Sequence, residues 1–154
     1  IMLAAVVAAL ASCQSKANKA AEAEADSIAI EAMSPTVEAT EVYEGTLPAA
    51  DGPGIRYVLT LNMLADANDT TYTLDMTYLD ADGQGKDKTF TSAGKPQMIQ
   101  KTVKNKKKSA LKLTPNDGSE PVYFVIANDT TLTLSNDSLQ EAVSDLNYDI
   151  VRVK

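Results

Sequence analysis

Residues 55–62 read IRYVLTLN, and their spacing decides what kind of fold this is. Ile55, Tyr57, Leu59 and Leu61 stand at every second position. A helix would bring residues three or four apart onto one face, whereas a spacing of two lines one face of a strand. The next run, TYTLDMTYLD (71–80), repeats the pattern, with Tyr72, Leu74, Met76 and Tyr78 set against Thr71, Thr73, Asp75 and Thr77. One apolar face and one polar face is the mark of antiparallel strands covering a core.

Working outward, short strands are expected at ATEVYEGTL (39–47), KTFTS (88–92), QMIQKTV (97–103), SALKLT (109–114), TLTLS (131–135) and YDIVRVK (148–154). PVYFVIA (121–127) is apolar at consecutive positions, which predicts a strand covered on both sides. Turn formers separate nearly all of these runs: DADGQGK (80–86), SAGKP (92–96), VKNKKKS (103–109), TPNDGSEP (114–121) and ANDT (127–130). Such a succession predicts an all-β meander, sandwich or small antiparallel β-barrel, and a barrel also removes exposed edges. One or two helical turns are expected in SNDSLQEAVSDL (135–146), with Asn136 or Asp137 as cap and Gln140 or Glu141 following.

The beginning of the sequence has a different character. Residues 1–11 form an apolar run of about 16 Å as a helix, too short for a ~30 Å hydrocarbon core but suited to the central region of a signal peptide. LASC (10–13) resembles a bacterial lipobox, whose cysteine is acylated and becomes the first mature residue. That reading makes 1–12 a signal peptide, its basic leading region not in the sequence, and Cys13 the lipid attachment site, with palmitate among its chains. An ordinary secretory peptide with a chance cysteine is the alternative. Residues 13–38 then serve as lipidated cysteine and tether, flexible or partly helical across NKAAEAEADSIAIEAM (18–33) and ended by Pro35. The barrel domain is expected over 39–154.

Composition narrows the chemistry. There is no histidine and Cys13 is the sole cysteine, so the folded part has neither the usual general base nor a thiol nucleophile. No serine stands in a nucleophile-elbow context. The chain is therefore read as no enzyme, without cofactor or metal. A formal charge of −7 without a basic stripe argues against nucleic acid. DADGQGK lacks the fifth-position ligand and terminal glutamate of a calcium loop, and reads as a hairpin turn. Lys101, Lys104, Lys106, Lys107 and Lys108 form a basic run that suits either a solvated hairpin turning at Asn105 or a contact with anionic headgroups or an acidic partner. Met63, Met76 and Met98 offer soft thioethers, but Met76 alternates with core positions, where methionine is ordinary filler.

YEGTLPAADGPGIRYVLTLN (43–62) carries a family resemblance through Tyr43, Gly45, Pro48, Asp51, Gly54 and Ile55. It resembles the opening of the NlpE-like lipoproteins, the N-terminal domain of the copper-resistance or copper-homeostasis lipoproteins. VYFVIANDTTLTLSNDS and LNYDIVRVK are similar to that family's closing strands. The resemblance implies a small lipocalin-related barrel, filled by its own side chains or holding one small apolar ligand. The family's Cys-x-x-Cys positions are occupied here by Ala49 and Gly52, neither of which can bind copper or form a disulfide.

Four Asp-Ser/Thr stretches, centred on Ser27, Thr70, Thr130 and Ser138, resemble O-glycosylation sites of exported bacterial proteins. Together these readings predict a non-catalytic lipoprotein of the cell envelope, anchored to the outer membrane through Cys13 and facing the periplasm or the cell surface. Its expected role is a partner-binding or stress- and surface-sensing module meeting another envelope protein. A carrier of a small apolar ligand in the barrel interior is the alternative. Tyr57, Leu59, Tyr72, Leu74 and Phe124 are the inward positions expected to separate the two.

Overall fold

The computed structural model describes residues 36–65 and 69–154. The signal peptide, Cys13, almost all of the tether and Ser27 lie outside the described residues. Eight strands follow one another: β1 (Val37–Leu47), β2 (Ile55–Leu64), β3 (Thr70–Tyr78), β4 (Lys88–Val103), β5 (Lys106–Pro115), β6 (Val122–Asn128), β7 (Thr131–Ser135) and β8 (Asp149–Arg152). Each pairs antiparallel with its sequence neighbour, and β8 returns to β1, so the sheet closes into an up-and-down barrel. Strand direction alternates. The start of β1, the β2–β3, β4–β5 and β6–β7 connections and the end of β8 therefore share one end of the barrel, called here the N-terminal end. The other four connections share the opposite end.

Register carries the period-two pattern around the wall. Tyr43 pairs with Leu59 and Leu59 with Leu74, while Leu111 pairs with Phe124 and Ile126 with Leu132. Because the side-chain period is two, this register turns the whole apolar set inward together. Leu59, Leu74, Leu113, Phe124 and Ile150 are fully buried and fill the middle of the barrel. Each contributes about 1.5–3 kcal/mol relative to exposure. Tyr57 and Phe124 meet edge to face at 6.2 Å within this core.

Two expectations are corrected. KTFTS and QMIQKTV are not separate strands around a turn at SAGKP, because β4 runs unbroken through them. Gly94 permits this: a Cβ there would strike the Thr114 carbonyl oxygen and lie 3.1 Å from the Tyr72 ring. Pro96 is tolerated because the ladder to β3 ends at Gly94, leaving that edge of β4 unpaired where a missing N–H costs nothing.

The second correction concerns SNDSLQEAVSDL, which forms no helix. Leu139 sits at φ +58, outside the helical region, and Ser135 bridges to Glu141. Asn136 does cap, but it caps a turn: its Oδ1 accepts from the Ser138 and Gln140 backbone N–H groups at 3.0 and 2.9 Å. Residues 136–148 instead form a strap along the outside of the wall. Leu139 is fully buried there with Ala110 and Val125, packed by Ile99, Val103 and Tyr123. PVYFVIA is thus covered on both sides, Phe124 facing the core and Val125 the strap.

Candidate functional site

The barrel is full at its middle and hollow at its N-terminal end. Inward positions one step beyond the packed belt surround a cup of about 350 Å³. Tyr43 and Glu41 come from β1, Leu61 and Met63 from β2, Thr70 from β3, and Pro96 and Met98 from β4. Leu111, Ile126, Asn128, Asp129 and Leu132 complete the lining. The walls are mainly apolar because these positions continue the same alternation that builds the core. The cup stays unfilled because Pro96 and Thr70 are short, and because Met98 is 61 % exposed rather than folded into the middle.

One polar cluster stands in this wall. Register places Arg152 opposite Tyr43, and Arg152 Nη1 pairs with Glu41 Oε1 at 3.0 Å. The Tyr43 hydroxyl donates to Glu41 Oε2 at 3.1 Å. Burial pushes the Tyr43 pKa up, the neighbouring Glu41 carboxylate adds to the rise, and Arg152 opposes it. The tyrosine therefore remains a neutral donor near neutral pH. The cup thus combines mainly apolar walls with Glu41, the Tyr43 hydroxyl, Thr70, Asn128 and Asp129, while Arg152 holds Glu41 from outside the lining. Such a surface can hold an apolar group and orient a polar head, but it presents no base or nucleophile poised for bond making.

The other buried hydroxyls are structural. Burial raises the pKa of Tyr57, with a further rise from Tyr78. Burial also raises that of Tyr72, with the nearby Ser92 hydroxyl opposing the rise and Asp117 adding to it. No group among the described residues meets the Tyr72 hydroxyl at hydrogen-bond geometry, so Ser92 is close without being a formed partner. Among the described residues, no group of three or more His, Cys, Asp or Glu could hold a metal ion. Met63 and Met98 both line the cup, whereas Met76 packs against the core.

Ala49 and Gly52 lie in the β1–β2 loop at the opposite end from the cup. Gly52 is exposed at φ +108, a backbone state that a side chain rarely tolerates. DADGQGK forms a loop that satisfies itself: Asp80 Oδ1 accepts from the Gly85 N–H, and Asp87 Oδ1 from the Asp80 N–H. Of the hydroxyls singled out in the sequence, Thr130 and Ser138 are exposed in connections, while Thr70 opens β3 half-buried in the cup wall. The basic run forms the β4–β5 hairpin, turning at Lys104 and Asn105 with φ of +48 and +63, as a two-residue type I′ connection requires.

Sequence reasoning missed the Glu41–Arg152 pair. The signal was present, since Glu41 and Tyr43 are two apart in ATEVYEGTL and must share a face. What it could not supply was the closing register that brings β8 alongside. A family model described as the NlpE N-terminal domain matches residues 43–145. Neither the curated proteins nor the solved structures yield a match to the chain.

Proposed function

The chain belongs to the NlpE N-terminal domain family, and on that premise we propose that it is a non-catalytic envelope lipoprotein whose barrel receives a small apolar group at its N-terminal end. The observation that carries this reading is the cup of about 350 Å³, apolar in its walls and closed below by the packed core. A ligand pocket in this size class buries a small molecule well, and a few placed polar groups fix its orientation. Glu41 and Tyr43 supply those groups, with Arg152 holding the Glu41 carboxylate from behind. The ligand is therefore an amphiphile with a compact apolar body and a polar head. Kinship with the lipocalin barrels is part of the same proposal.

The anchor belongs to the proposal as well. Cys13 carries the acyl chains, residues 1–12 are removed, 13–38 serve as tether, and 39–154 form the barrel domain at the outer membrane. Several acyl chains hold a protein stably where one would not. Ala49 and Gly52 replace the family's cysteine pair, so a role in copper binding is not proposed at that loop. Among the described residues, Thr130 and Ser138 are the sites where a glycan would be reachable, and Ser27 of the tether remains a third.

The partner-binding reading rests on a different observation. Val143 is 99 % and Leu146 60 % exposed on the strap, and neither lines the cup. A partner seated there would leave the cup empty. Native mass spectrometry of the protein extracted gently from its own host's membranes separates the two readings. A mass excess beyond the acyl and glycan increments, lost on denaturation, is expected. Bare acylated polypeptide, unchanged when membrane lipid extract is added back, would sink the ligand reading and leave the partner module.

A further inference from the structure

The β4–β5 hairpin is the most basic feature of an acidic chain, and the fold shows which of its lysines are engaged. Lys101 Nζ donates to the Asp137 carbonyl oxygen, and Lys108 Nζ pairs with Glu141 at 2.9 Å, so these two fasten the strap. Lys104, Lys106 and Lys107 are exposed and make no ion pair among the described residues. β5 pairs with β6 only over Ala110–Leu113, and β4 leaves β3 at Gly94. The hairpin beyond those points is free of both neighbours and projects from the wall.

Lys104, Lys106 and Lys108 form one side of a groove of about 710 Å³, and the strap from Gln140 to Ser144 forms the other. Glu141 in that second side is neutralised by Lys108, which leaves the groove positive. Val143 stands on its rim with its side chain in solvent. Exposed lysines beside an exposed aliphatic residue suit a surface that is anionic outside and apolar beneath.

The direction of the hairpin chooses between partners. Its tip lies at the N-terminal end, where the chain enters β1. Residues 14–36 span at most about 80 Å when fully extended. A bilayer holding Cys13 is thus always within reach of the tip, at high effective concentration.

We propose that the hairpin tip and the Val143 rim dock on an anionic lipid bilayer, headgroup phosphates meeting Lys104, Lys106 and Lys107. The geometry rests on the anchoring of Cys13, but the contact itself needs no acyl chain, and this allows the two to be tested apart. The full chain carrying Cys13→Ser is sedimented with vesicles of phosphatidylcholine alone and with phosphatidylglycerol added. The ratio of the two bindings cancels any contribution of the apolar residues 1–12. The ratio is expected to exceed one and to fall with added salt. Lys104→Gln with Lys106→Gln should lower it about twenty-five-fold, about fivefold for each lysine. Lys86→Gln with Lys88→Gln, at the other end of the barrel, should leave it unchanged.

Equal losses from both pairs would mean that the vesicles read only net charge, and would overturn the proposal. A ratio of one would overturn it too, and if poly-glutamate bound instead, the partner would be an acidic peptide. The mass of the wild-type chain taken from membranes of the host tests the anchor separately: acyl increments on Cys13 are expected, and an unacylated Cys13 would remove the anchor and leave the vesicle result standing.

Discussion

Tyr72 shows how a single side chain can be indispensable for packing and uncomfortable in its chemistry. Its ring lies over Gly94, the residue opposite it in the ladder, where a Cβ would press on the ring at 3.1 Å besides striking the Thr114 carbonyl oxygen. Its hydroxyl is buried without a partner among the described residues. An unpaired buried hydroxyl costs about 1–3 kcal/mol, so Tyr72→Phe keeps the ring and removes the cost. The variant is expected to be about 1 kcal/mol more stable in urea unfolding. A clear loss of stability would show that the hydroxyl is satisfied in solution, with Ser92 as its nearest candidate partner. Tyrosine ionisation adds a pH test. Tyr43, Tyr57 and Tyr72 all have pKa values raised above the ordinary 10.0, chiefly by burial. A raised pKa means that the folded state holds its proton longer than the unfolded state does. Stability is therefore unaffected below pH 10, then falls as the pH rises from there through the folded values. Tyr72→Phe should make that alkaline fall shallower. An equally steep fall would remove Tyr72 as a contributor.

At the scale of elements, the strap is where local sequence and tertiary structure disagree. SLQEAVSDL has good helix formers, yet Leu139 is drawn into the outer wall at a positive φ. A short helix is marginal in water, so one buried leucine and two lysine contacts outweigh its propensity. Leu139→Ala should cost about 2–4 kcal/mol by losing the buried side chain and leaving a cavity. It should also speed amide exchange at Ala110 and Val125 while leaving Leu59 and Leu74 protected. Uniformly faster exchange would mean that strap and barrel are one cooperative unit. The strands themselves were legible because period two survives in Ile55–Asn62 and Thr71–Tyr78, where one face is simply buried. The unbroken course of β4 was not legible, since Gly94 and Pro96 look like a turn until the end of the β3 ladder and the Thr114 carbonyl explain them. PVYFVIA was readable as doubly covered, but nothing in it said that the outer cover would be the segment after β7.

For the whole molecule, closing the barrel and completing the cup are the same event. The seam between β1 and β8 is short: Tyr43 pairs with Arg152 and Glu44 with Val151, and Val42 exchanges backbone hydrogen bonds with Val153 and Lys154. The Glu41–Arg152 ion pair crosses this seam, so Glu41 in the cup wall is held by its partner only while β8 is docked. Gly45 is what lets the two strands approach, because a Cβ there would strike the Asp149 carbonyl oxygen and lie 3.0 Å from Ile150 Cα. Gly45→Ala should cost about 1–3 kcal/mol as an overpacking change. By forcing β8 outward it should also bare two strand edges, which invite self-association. Gly94→Ala is the matched comparison, since its clash lies within the wall and opens no seam. Thermal melts should show both variants destabilised, whereas size-exclusion chromatography should show only Gly45→Ala forming larger species. Loss of the native mass excess should accompany Gly45→Ala alone, because it dismantles the cup from its charged side. A monomeric Gly45→Ala that still retained the ligand would mean that the seam tolerates the extra carbon, and that the apolar walls hold the ligand without Arg152.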